Sequence, residues 1–321
     1  MNKQVELLNN EGVQLFLKGK FKDAKIKYGE ALQQFPKYAT TLNNLGMLYL
    51  QEKKYKKAIL YFEKAIREKK NATYFLNLGH AYANLNQIKQ AEKKYLKSIE
   101  LNSNSLMAWK SLASLYQFQK QFYKSSEIWE HIISKFSNDN YFRIQLAKDY
   151  ISLREFQNAL HVLHEAVKYK KNKDLIWYYT ASIHFNFKNF GLAKNAIKKC
   201  LSLAPDNERF RLLAASIYLG LSQLNDAISQ WDYLLKQNKT NHKIRVEKGV
   251  ALLAYNMKTE ALQEFDFVLS YEVNYKALFY KALVLLEINK KEKAIKILHK
   301  LTFKDTKFKQ KAKQILRNII V

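Results

Sequence analysis

The sequence predicts an all-α protein built from stacked helical hairpins, and three observations carry that expectation. Only two prolines and eight glycines punctuate 321 residues, far fewer than a strand-and-turn architecture needs. Apolar residues, 48% of the chain, recur at three- and four-residue spacing rather than in alternation. Small residues recur every 33 or 34 positions, and self-similarity at such a period marks a repeat architecture.

Composition narrows the function classes before any motif is read. The apolar content supplies a packed interior, which excludes wholesale disorder. The longest apolar run, Val250 to Tyr255, is much too short to span a bilayer. A single cysteine makes no internal disulfide, and the opening Met-Asn-Lys-Gln-Val-Glu has no apolar leader core, so a cytoplasmic location is expected. The net charge of +27 raises an anionic partner, nucleic acid or membrane surface. Cutting the chain at position 160 leaves 26 basic and 14 acidic residues before it and 29 and 14 after, so no charged arm stands out at that division.

The repeat register runs through the whole chain. Gly12, Gly46, Gly79, Ala113, Ala147, Ala181, Ala215, Gly249 and Ala282 form the first small-residue series. Twelve places after each comes another small residue, as in Ala24, Ala58, Ala91 and Ser125. Four further on stands a bulky one: Tyr28, Phe62, Tyr95, Trp129, Leu163, Ile197, Trp231, Phe265 and Leu298. The physical reading is two helices of about a dozen residues each. Small residues let them approach, and the bulky side chain fills the gap beside them. One hairpin cannot bury its own apolar face, so neighbours must stack.

Leu45-Gly46-x-x-Tyr49 followed by Ala58-x-x-x-Phe62-x-x-Ala65 resembles the tetratricopeptide repeat family. Ala24-x-x-x-Tyr28-x-x-Ala31-x-x-x-x-Pro36 carries the same signature in the first repeat. The resemblance covers residues 1–304 as nine repeats, starting near 5, 39, 72, 106, 140, 174, 208, 242 and 275. It implies a right-handed superhelical solenoid with a concave groove lined by the first helix of each pair. Residues 305–321 are expected to form a capping helix, with Asp305 as its cap and Phe308, Ala312, Ile315, Leu316 and Ile319 as its apolar stripe. Its other face carries Lys307, Lys309, Lys311, Lys313 and Arg317, and the sequence closes on Ile319, Ile320 and Val321, so docking on a partner or membrane is a second job to weigh.

Catalytic chemistry finds no support. No two glycines lie closer than seven residues, so no phosphate-cradling loop is available. His161 and His164 lie three apart on one helix without a carboxylate at ligand spacing, which reads as surface histidine rather than metal site. Cys200 stands where other repeats carry alanine and reads as a packed small residue. No enzyme activity and no cofactor are expected.

The resemblance places the groove at places 2, 5, 6, 9, 12 and 13 of each repeat. Place 6 reads Asn10, Asn44 and Asn77, then Ser111 and Gln145, then Tyr179 and apolar or acidic residues. An asparagine amide pairs both the carbonyl and the N–H of an extended peptide, and the three resemble the asparagine ladder of superhelical repeat arrays. On that reading the loss of Asn44 and Asn77 should weaken partner binding and leave stability nearly intact. Farther along, Tyr178, Tyr179 and Phe185 make the groove apolar, which suits a docked amphipathic helix or extended segment. The carboxylate clamp for heat-shock chaperone tails is not matched: of Asn9, Val13, Asn44, Thr73 and Asn77, only Asn44 is the required type. Within the groove places only Lys110, Lys148, Arg209, Lys243 and Lys276 are basic, against Glu6, Glu247 and Glu287. The positive charge therefore lies on second helices and turns. The sequence points to a protein-binding scaffold or adaptor, with RNA or an anionic membrane on the outer surface as the alternative.

Overall fold

Each sequence repeat folds as an antiparallel helical hairpin. The computed structural model describes residues 3–136, 139–169, 171–304 and 306–320, of Ile320 the backbone only, and these residues contain helices and no strand. They divide into two compact units at Lys171/Asn172. The first unit holds α1 (Lys3–Leu17), α2 (Phe21–Gln34), α3 (Ala39–Gln51), α4 (Tyr55–Glu68), α5 (Ala72–Asn84), α6 (Ile88–Leu101), α7 (Leu106–Phe118), α8 (Phe122–Lys135), α9 (Asn140–Ser152) and α10 (Phe156–Ala166). The second holds α11 (Lys173–Asn186), α12 (Phe190–Leu203), α13 (Glu208–Gly220), α14 (Leu224–Gln237), α15 (His242–Ala254), α16 (Lys258–Tyr271), α17 (Tyr275–Glu287), α18 (Lys291–Thr302) and α19 (Lys309–Ile320). From α3 onward, the first helix of every hairpin begins within one residue of its expected start.

The spacing of small and bulky residues becomes direct contact. A Cβ added at Gly46 would lie 2.5 Å from the ring of Phe62, and one at Gly79 would lie 2.5 Å from that of Tyr95. Both rings are buried, so glycine is what allows the two helices to close over them. Where the first helix carries alanine, the facing side chain is Leu163, Ile197 or Leu298, all buried, or one of the tryptophans.

Hairpin turns share one backbone device. Gly19, Lys53, Asn86, Lys120, Arg154, Lys188, Ser222, Asn256 and Asn289 all adopt the left-handed region, with φ between 58° and 74°. The next N–H then reaches back five residues, as from Lys54 to the Tyr49 carbonyl at 2.8 Å and from Gln87 to that of Tyr82 at 2.9 Å. This closes each first helix and satisfies its last carbonyls. First helices from α5 on, α11 excepted, are opened by short polar side chains: Asn71 Oδ1 accepts from the Thr73 N–H at 2.8 Å, and Asn207 Oδ1 from that of Arg209 at 3.1 Å.

The end of the first unit is irregular. α10 has 11 residues, whereas α2, α4, α6 and α8 each have 14. Its last turn tightens into three-residue bonds, with Val167, Lys168 and Tyr169 donating to the carbonyls of His164, Glu165 and Ala166. Asn140 Nδ2 donates to the Lys171 carbonyl at 2.6 Å, and Arg143 lies 4.5 Å over the Tyr169 ring. These contacts fold the segment back onto α9.

Among the described residues, Asp149 is the more deeply buried of two charged residues inside this unit, the other being Arg143. Asp149 on α9 is almost fully buried and accepts hydrogen bonds from Gln117 Nε2 at 2.7 Å and from Ser125 Oγ. Burial holds its carboxyl above the usual 3.8, against the opposing pull of those two bonds. In the window between 3.8 and the raised value, the folded chain binds more protons than the unfolded one. Its contribution to stability therefore falls as pH rises through that window. Asp149→Asn should remove this slope, so its melting temperature should vary less from acid to neutral pH than that of the parent. Parallel profiles would show the carboxyl to be unperturbed.

The last helix follows its predicted stripe. Phe308, Ala312 and Leu316 are buried with Phe279, Ala282, Leu298 and Leu301, and Ile315 and Ile319 pack at the edge. The Phe308 and Phe279 rings stack at 4.9 Å. Asp305 and Val321 lie outside the described residues. Thr306 lies in the turn before the helix, its Oγ1 accepting from the Phe308 N–H at 3.3 Å.

Candidate functional site

In the first unit the expected groove residues fall on α1, α3, α5, α7 and α9. Asn10 is exposed, Asn44 half-buried and Asn77 buried. The amides of the last two already have partners inside the fold. Asn44 Nδ2 donates to Asn9 Oδ1 on the preceding hairpin at 2.9 Å, and Asn77 Nδ2 donates to Asn43 Oδ1 at 2.9 Å. Thr41 Oγ1 donates to the same Asn9 oxygen at 2.9 Å. Place 5 of one hairpin thus pairs with place 6 of the next, and each link crosses the seam between hairpins. The sequence shows these asparagines in step but not that they face each other. That depends on the rotation between stacked hairpins.

Ser111 and Gln145 continue the row as part of a local network. Ser111 Oγ lies 2.9 Å from His80 Nε2, and Lys148 Nζ donates to Gln145 Oε1 at 3.0 Å. Burial lowers the His80 pKa, which favours the neutral ring. Beside this pair, between α5 and α7, lies a recess of about 470 Å³. His80, Ile88, Met107, Ser111, Ser114 and Phe118 form its wall, and Met107 and Phe118 are largely exposed. No single residue of this recess marks it in the sequence, because its wall draws on both helices of one hairpin and the first of the next. Lys110, also on its wall, lies 5.4 Å over the Tyr141 ring.

In the second unit the apolar row is half-buried. Tyr178 packs 5.1 Å from Phe210 and 5.2 Å from Tyr179, with the Arg209 guanidinium 5.1 Å over its ring. Phe185 lies 5.8 Å from Phe190. These aromatics bind α11 to α12 and α13 and leave only part of each ring open. Burial raises the Tyr179 hydroxyl pKa.

Other candidates resolve as packing. Cys200 is fully buried, its Sγ donating to the Asp174 carbonyl at 3.3 Å, and burial pushes its thiol up to about 12. His161 and His164 are exposed, and among the described residues no three His, Cys, Asp or Glu side chains gather as metal ligands. No described helix is long and apolar enough to cross a membrane.

Comparison with known proteins identifies the hairpins. Models of the tetratricopeptide repeat match residues 39–71, 72–105 and 176–207, which are the hairpins α3–α4, α5–α6 and α11–α12. The chain contains tetratricopeptide repeats. A TPR repeat-containing protein of Methanocaldococcus jannaschii is 24% identical over 192 residues, 57% of this chain and 34% of that protein. Human Superkiller complex protein 3 is 36% identical over 69 residues, 21% of this chain and 4% of that protein. The chain thus spans about a third of the length of the first of these relatives and a small fraction of the second. The C-terminal part of a TPR repeat-containing protein from Cytophaga hutchinsonii superposes with a TM-score of 0.64 at 17% identity, over 73% of this chain and 97% of that one. That likeness is one of fold. Tetratricopeptide repeats generally mediate protein–protein interactions.

Proposed function

We propose that the chain is a non-catalytic scaffold or adaptor that holds a peptide segment of a partner protein against the first helices of its first unit. The recess between α5 and α7 carries this reading. It offers exposed apolar surface from Met107 and Phe118 beside the polar His80 and Ser111, the combination that seats one side chain and orients the backbone around it. The face is poor in charge, unlike a groove that tracks a phosphate backbone. It also lacks the residue pattern of the chaperone-tail clamp, so the fitting ligand is an apolar-anchored segment rather than a free carboxylate tail. On this reading Asn10, Ser111 and Gln145 meet the peptide backbone, Asn44 and Asn77 brace the hairpins that present it, and Tyr178, Tyr179 and Phe185 form a second, apolar contact face.

Peptides selected from a random phage-displayed library on the full chain test this directly. Ser114→Trp, at an exposed position on the wall, should fill the recess and weaken the selected peptide at least about tenfold, with an unchanged helical spectrum. Unaltered affinity would place binding elsewhere.

A further inference from the structure

The positive charge is not evenly spread at finer scale. Residues 290–321 carry eleven basic and two acidic residues, +9 of the chain's +27 in a tenth of its length. Lys300, Lys304 and Lys307 surround the connection from α18 to α19; all three are exposed, and none forms an ion pair with a described carboxylate. Among them stands Phe303, 83% exposed. The preceding connection of the same kind, from α16 to α17, bears Val273 at 74% exposure, next to Tyr271 at 63%, the last residue of α16. Both connections run from the end of a second helix to the start of the next first helix, so they lie on the same edge of the stacked hairpins in this unit.

We propose that this edge docks the protein on an anionic membrane surface. The apolar stripe of α19 is consumed in packing on α17 and α18, so the helix does not insert. Instead Phe303, Tyr271 and Val273 enter the headgroup region while the lysines meet acidic lipids. Three features favour lipid over nucleic acid. The basic charges at this connection are lysines, hydrated point charges suited to diffuse attraction, and not the guanidinium forks that grip phosphates in pairs. Val273 has no face on which a base stacks. Phe308, the other ring of this connection, is buried and offers no stacking face.

Sedimentation of the full chain with vesicles tests the proposal, using phosphatidylcholine alone and phosphatidylcholine with phosphatidylserine. The parent should bind only the anionic vesicles. Lys300→Glu/Lys304→Glu/Lys307→Glu should lower the partition coefficient by about a hundredfold or more. Phe303→Ser should lower it about tenfold without changing its salt dependence. A control with equal charge change in the first unit, Lys56→Glu/Lys89→Glu/Lys93→Glu, should lose less than about tenfold. Equal losses in the two triple variants would reduce the effect to overall charge and overturn the proposal. It is equally overturned if the parent ignores anionic vesicles, or if it binds polyuridylate instead and the first triple variant abolishes that binding.

Discussion

Phe62→Ala should cost about 3–5 kcal/mol, because the ring is fully buried between α3 and α4. The more informative change is on the opposite helix. Gly46→Ala adds one methyl 2.5 Å from two Phe62 ring carbons. Helix propensity alone would favour alanine by about 1 kcal/mol. Overpacking against a rigid ring costs about 1–3 kcal/mol, so the net effect should be a loss. Other hairpins of this chain show the remedy, since Ala147 and Ala282 stand in the register where Leu163 and Leu298 are the facing residues. Gly46→Ala combined with Phe62→Leu should therefore be more stable than the sum of the two single changes predicts. Chemical denaturation of the four proteins gives the coupling directly, and strict additivity would mean that glycine and ring do not constrain each other.

Asn9→Ala should destabilise the first unit far more than Asn10→Ala, although the residues are adjacent and identical. Asn9 is buried, and its Oδ1 accepts from both Thr41 and Asn44 at 2.9 Å. Its removal leaves the fully buried Thr41 hydroxyl and the Asn44 amide without that acceptor, at about 1–3 kcal/mol for each group that stays unpaired. Asn10 is exposed, and its loss should stay within about 0.5 kcal/mol. Asn44→Ala/Asn77→Ala should likewise lower the melting temperature, in contrast to the expectation from sequence that stability would hold. Thermal unfolding of these variants separates the two roles: equal, small effects throughout would free the whole row for ligand.

The helices and their register were readable from the sequence for a local reason. Spacing of three and four residues defines the buried face of a helix, and the recurrence of Gly46, Gly79 and their counterparts every 33 or 34 residues repeats the same short-range instruction. The stripe on α19 was legible in the same way. Even the left-handed turns had a partial signal in Gly19, Asn86, Asn256 and Asn289, but Lys53, Lys120 and Arg154 occupy the identical backbone position with no propensity for it. There the closure of each hairpin over its bulky side chain overrides local preference. What only the tertiary structure decided depends on contacts between hairpins. Asn43 and Asn77 are 34 residues apart and meet because stacking brings place 5 of one repeat beside place 6 of the next. The burial of Asp149 rests on Gln117 and Ser125 from another hairpin. The shortened α10 and the unit boundary at Lys171/Asn172 have no counterpart in the period, which the sequence continues without a break. A repeat writes the inside of each hairpin into its own residues, but the seam between hairpins is set by how the folded pairs rotate against one another.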